Sequence, residues 1–149
     1  MSTNLRPSRT YNEVNVGDEL PELPIPLTRT LIVSTALATR DFQDVHHDPA
    51  LAAAKGSPDI FMNILTSNGL VSRYVGEWGG PETETRKIGI RLGAPNYPGD
   101  TMTMTGKVTA KTRAEDGTGL VELYVVGANS LGNHVMATVT IALPEGEQA

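Results

Sequence analysis

The stretch IFMNILTSNGLVSRYV, residues 60–75, decides the fold, because what it must become dictates what the rest of the chain has to do. Ile60, Met62, Ile64, Leu65, Leu70, Val71, Tyr74 and Val75 cover more than one face of a helix predicted to run from Asp59 to about Tyr74. A helix that is apolar on most sides needs other elements around it. Gly69 lies inside this helix and costs about 1 kcal/mol relative to alanine unless another backbone packs closely there.

The covering elements follow in the chain. From Thr85 onward the hydrophobic period drops to two: TRKIGIRLGA alternates, YPGDT makes a proline-glycine turn, and TMTMTGKVTAK alternates threonine with apolar residues. Asp116-Gly117 marks a turn before TGLVELYVVGAN, and Leu131-Gly132-Asn133 marks another before HVMATVTIAL. These segments read as an antiparallel meander of long strands. One apolar helix followed by such a run predicts an α+β domain in which the sheet curls around the helix.

Upstream of the helix the signals are shorter. Pro21, Pro24 and Pro26 keep residues 11–26 extended and turn-rich, which excludes helix there. LTRTLIV, residues 27–33, is expected to be a largely buried strand, with Ser34 or Thr35 capping a short helix through ALATRDFQ that ends near Asp41 to Asp44. Pro49 after Asp48 suits the first turn of a second short helix, PALAAAK, closed by Gly56.

A chain of 149 residues with 39% hydrophobic content fits a single domain over residues 1–149, with 1–10 and 144–149 expected to be loose. Its formal charge of -5, without a run of Lys or Arg, argues against a nucleic-acid partner or a membrane surface. With no cysteine there is neither a disulfide framework nor a thiolate nucleophile. The start of the chain lacks the apolar stretch of a secretory signal, no run approaches a membrane span, and a cytoplasmic location is the expectation.

RDFQDVHHDPA, residues 40–50, gathers two of the three histidines with three carboxylates. A helix ending between Asp41 and His46 would let their side chains converge, and a carboxylate and an imidazole sharing a water make a general acid/base pair near neutral pH. The competing reading is a solvated turn in which Asp48 caps the next helix. A metal site at His46, His47 and Asp48 is disfavoured, since adjacent histidines rarely chelate one ion and only His134 remains to add a nitrogen. His134 itself reads as a strand residue beside a turn.

Three segments together resemble the MaoC-like (R)-specific enoyl-CoA hydratases of the hotdog fold. Tyr11 to Asp18, YNEVNVGD, resembles the family's opening motif; Asp41, His46, Asp48 and Ala52 resemble its hydratase motif; Tyr97 to Thr101, YPGDT, resembles the turn before its long strands. STALATRDFQDVHHD and DIFMNILTSNGLVSRYV are similar to the branch of the family that acts on steroid side chains. Two departures stand out: Gln43-Asp44 where many members have Asn-Pro, and Asn63-Ile64 where many have His-Gly.

The resemblance implies hydration of an enoyl-CoA thioester by Asp41 and His46, with the backbone N–H of Ile64 stabilising the thioester oxygen. It implies no cofactor beyond the coenzyme A that the substrate carries, and an acyl-CoA substrate, here a bulky steroid one. It also implies a second MaoC-like hotdog subunit in a hetero-oligomer such as a heterotetramer. Arg86, Lys87 and Arg91 are candidates to meet the coenzyme A phosphates, though exposed strand residues of this type usually stay solvated. Two rivals remain: an acyl-CoA thioesterase on the same fold, and a non-catalytic subunit that shapes a partner's pocket.

Overall fold

The computed structural model describes residues 6–146. Along the chain it forms β1 (Glu19–Pro26), α1 (Arg29–Ala38), a single 3-10 turn (Asp44–His46), α2 (Pro49–Ala54), α3 (Ile64–Gly79), β2 (Glu84–Leu92), β3 (Thr101–Arg113), β4 (Gly119–Asn129) and β5 (Gly132–Ala142). All strand pairs are antiparallel, in the order β1-β3-β4-β5-β2. Leu70, Val71, Tyr74 and Val75 of α3 share one buried core with Met104, Val108, Leu123, Val125, Ala137 and Val139 of the sheet. This is the expected α+β arrangement, a hotdog fold with the long helix held in the curve of the sheet.

Three expectations about the elements are corrected. Residues 27–33 are not a strand: Thr28 caps α1, its hydroxyl accepting the Leu31 N–H at 3.0 Å, and the chain is helical from Arg29. That cap offers an orphan amide a partner at once, and it outweighs the mild helix aversion of the β-branched residues behind it. The strand lies one segment earlier, in the proline-rich residues of β1. An edge strand tolerates Pro21, Pro24 and Pro26 because one side of it needs no ladder donors, and a bulge between Leu20 and Leu23 absorbs the irregularity.

The central helix begins at Ile64 rather than Asp59, since Asn63 is its cap. Ile60 and Met62 are still buried, but in the extended approach to the helix. Of the four strands after it, only β3, β4 and β5 form a meander; β2 crosses the molecule to pair with β5 at the far edge.

Other expectations are met. Asp48 caps α2, accepting from the Ala50 and Leu51 amides, and Gly56 follows its end at φ 87°. Gly99 takes φ 92° in the turn before β3, where its N–H donates to Leu27 O and Asp100 O accepts from Leu27 N. A side chain with a Cβ is strained at such angles.

Of the ends expected to be loose, the described parts are tied down. Arg9 N donates to Gly79 O, Tyr11 N to Pro144 O, and Arg113 holds Glu145 through two hydrogen bonds. Residues 1–5 and 147–149 lie outside the described residues. Among the described residues no helix is long and apolar enough to cross a membrane.

Candidate active site

The end of α1 delivers Asp41. Arg40 N bonds back to Leu37 O and Asp41 N to Ala36 O, the paired bonds that close a helix through a left-handed residue. Arg40 takes that position at φ 57°, the one positive-φ residue other than glycine among those described. Glycine usually fills it, and a side-chain-bearing residue there stores about 1 kcal/mol of strain. The reversal turns the Asp41 side chain back toward the start of α3.

His46 arrives on the 3-10 turn, with its ring buried and packed edge-on against Phe61 at 5.0 Å between centroids. Its Nδ1 lies 2.7 Å from Phe61 O. A carbonyl only accepts, so Nδ1 carries a proton, and whenever the ring is neutral Nε2 presents the lone pair. That Nε2 lies 3.4 Å from Asp41 Oδ2. The two groups expected from the sequence therefore meet.

Asn63, which the sequence reading marked only as a departure, lies between them and α3. It is 2% exposed, and its Nδ2 donates to Asp41 Oδ2 at 3.0 Å and to Thr39 Oγ1 at 2.9 Å. Its Oδ1 accepts from Thr66 N at 3.0 Å and from the Thr66 hydroxyl at 2.5 Å. The Asn63 amide, then the Gln43 N–H and, when its ring is protonated, His46, hold the Asp41 carboxyl below its ordinary range, against the opposing effect of burial. An asparagine directly before an apolar helix is a cap signal; placing the helix start at Asp59 concealed it.

Ile64 is the first residue of α3, where amides lack intrahelical partners and carry the positive end of the helix dipole. Among the described residues no backbone carbonyl takes up the Ile64 or Leu65 N–H. The Ile64 side chain is half exposed rather than in the core. Leu37 and Phe42, close to Asp41 in the chain, and Leu65, next to Ile64, are exposed apolar residues as well.

The remaining candidates lie elsewhere. His134 is buried on β5, its Nδ1 on Ala94 O and its Nε2 on Ser67 Oγ, both at 2.7 Å. His47 Nδ1 is a buried atom without a hydrogen-bond partner among the described residues. Arg86, Lys87 and Arg91 sit on edge strand β2, where Arg86 pairs with Glu84 at 2.8 Å.

A curved sheet around one helix, with an acid/imidazole pair at the start of that helix, is a hotdog fold carrying a candidate acid/base site. The chain belongs to the MaoC-like domain family, whose model matches residues 13–129. It is 56% identical over 128 residues to the 3-oxo-4,17-pregnadiene-20-carboxyl-CoA hydratase beta subunit of Mycobacterium tuberculosis, covering 86% of this chain and 95% of that protein. Among solved structures it is similar to a chain of the ChsH1-ChsH2 complex from the same organism, with a TM-score of 0.81 and 55% identity over 87% of this chain and 98% of that one. The R-hydratase PhaJ1 of Pseudomonas aeruginosa shares the fold, with a TM-score of 0.82 at 23% identity, covering 95% of this chain and 92% of that one.

Proposed function

We propose that this chain is the catalytic small subunit of a two-component enoyl-CoA hydratase acting on a steroid side-chain thioester. The observation that carries the reading is the approach of His46 Nε2 to Asp41 Oδ2 at 3.4 Å, with His46 Nδ1 on the Phe61 carbonyl. With the ring neutral, Nε2 accepts, and Asp41 Oδ2 has a lone pair beyond the one Asn63 fills, so one water can donate to both while keeping a lone pair free for attack. The near-full-length identity to a hydratase beta subunit supports the chemistry and the substrate class. Similarity to a chain of a two-component complex supports a second MaoC-like subunit, which would cover exposed apolar residues such as Phe42 and Leu65.

In this reading the water oxygen bonds to the β-carbon of the enoyl thioester, and the π-electron pair moves through the α-carbon onto the thioester oxygen. The Ile64 N–H at the positive end of α3 stabilises the enolate oxygen; donors of this kind are worth about 2.7–4 kcal/mol. Imidazole is by nature the stronger base of the pair, so His46 Nε2 takes the water's proton. The imidazolium, steadied by ionised Asp41, returns a proton to the α-carbon, and the net change is addition of one water. No cofactor enters beyond the coenzyme A of the substrate. A cytoplasmic location, where such thioesters are handled, goes with this reading.

The test is to co-express the chain with a MaoC-like partner and to assay the complex on linear and steroid enoyl-CoAs. Loss of the conjugated absorbance without thiol release is expected, fastest on the steroid substrate. Asp41→Asn and His46→Ala should each lower kcat by about 100-fold or more. Thiol release with the enoyl absorbance untouched would identify a thioesterase instead, and full activity in both variants would make the chain a non-catalytic subunit.

A further inference from the structure

We infer that Asn63 is a positioning residue that locks the acid/base pair and the start of α3 into one unit, an inference that rests on the hydratase reading. The amide has a single possible orientation. Thr66 N–H is only a donor, so Oδ1 must face it, and the NH2 group must then face Thr39 and Asp41. All four hydrogen-bonding positions of the side chain are filled at a site 2% exposed. A buried amide so constrained has no alternative rotamer that keeps its partners.

Its three attachments belong to three functions. Thr66 is in the first turn of α3, so the cap sets the direction of the helix whose leading amide is Ile64. Thr39 closes α1 and itself donates to Thr35 O at 2.8 Å, so the bond to it fixes the helix end that presents Asp41. Asp41 Oδ2 is the same oxygen that faces His46 Nε2. Asn63 therefore sets which carboxylate oxygen meets the imidazole and holds that carboxylate ionised. It also keeps both at a constant distance from the Ile64 amide. Asn63 touches none of the reacting atoms; it acts through Asp41.

Two substitutions separate helix capping from positioning. Serine and aspartate are both good caps and can still accept the Thr66 N–H, but neither donates an N–H to Asp41. In the complex with its partner subunit, Asn63→Ser should melt close to the wild type while kcat falls about tenfold or more, with KM little changed. The Asp41 carboxyl should titrate at higher pH, because it loses the donor that favours its ionised form. Asn63→Asp should raise that titration further, since a second carboxylate then stands beside Asp41.

NMR of the Asp41 carboxyl carbon without any substrate reads this shift. An unchanged Asp41 titration in both variants would overturn the inference, as would a loss of activity that tracks only a lower melting temperature. If the wild-type complex hydrates no enoyl-CoA, the functional reading fails while the Asp41 titration still judges Asn63 on its own.

Discussion

Two histidines in this chain receive the same instruction from the backbone and do different things with it. His46 and His134 each direct Nδ1 to a carbonyl oxygen at 2.7 Å, Phe61 O for one and Ala94 O for the other, which leaves Nε2 as an acceptor. In the interior the Ser67 hydroxyl fills that role for His134. Beside the start of α3, His46 Nε2 faces the Asp41 carboxylate instead, a pairing that can exchange protons. His134 is neutral for a second reason: burial pushes its pKa below the ordinary histidine value, and the Ala94 bond opposes this only in part. The unfolded chain therefore binds a proton that the folded one resists. Stability contributed by the neutral ring is intact above the unfolded histidine value of about 6.5 and falls as the pH drops below it. Denaturant unfolding between pH 7.5 and 5 should show this decline, and His134→Gln should flatten that part of the slope even though its absolute stability is lower. The residue types Asp41 and His46 and their spacing were legible in the sequence. The Asn63 that anchors Asp41 was not, because a cap is recognisable only when the helix start is placed correctly.

Among the elements, α2 shows local chemistry at its most readable: Asp48 before Pro49 and Gly56 beyond the end give both boundaries without tertiary help. Residues 27–33 show the opposite, since apolar β-branched density signals burial without saying by which element, and the single hydroxyl of Thr28 tipped the balance to helix. The glycines of α3 sharpen the point. Nothing lies within 4 Å of where a Gly69 Cβ would stand, so the packing that would excuse a mid-helix glycine is absent among the described residues. Gly69→Ala should accordingly stabilise the chain by about 0.5–1 kcal/mol, read as a higher melting temperature. Gly79→Ala, at the other end of the same helix, should do the reverse, because its Cβ would overlap the Thr83 side chain.

For the whole molecule, stability rests on the seam between α3 and the middle of the sheet. Leu123 on β4 is fully buried there, flanked by β3 at Val108 and by β5 at Val139. Leu123→Ala should cost about 2–5 kcal/mol, a large share of the roughly 5–15 kcal/mol available to a domain, and should lower the denaturant midpoint without moving Asp41 or His46. The Asp48 cap of α2, the turns, alternation in the strands and the presence of one apolar helix were determined by the sequence alone, because each depends on neighbours within a few residues. Which strand lies beside which, with β2 crossing to β5, and which side chains meet, with Asp41, His46 and Asn63 drawn together from three segments, were decided only by the tertiary structure. The reason is physical: backbone preferences act over a turn or two, whereas contact between distant segments is selected by the burial and hydrogen bonding of the whole chain at once.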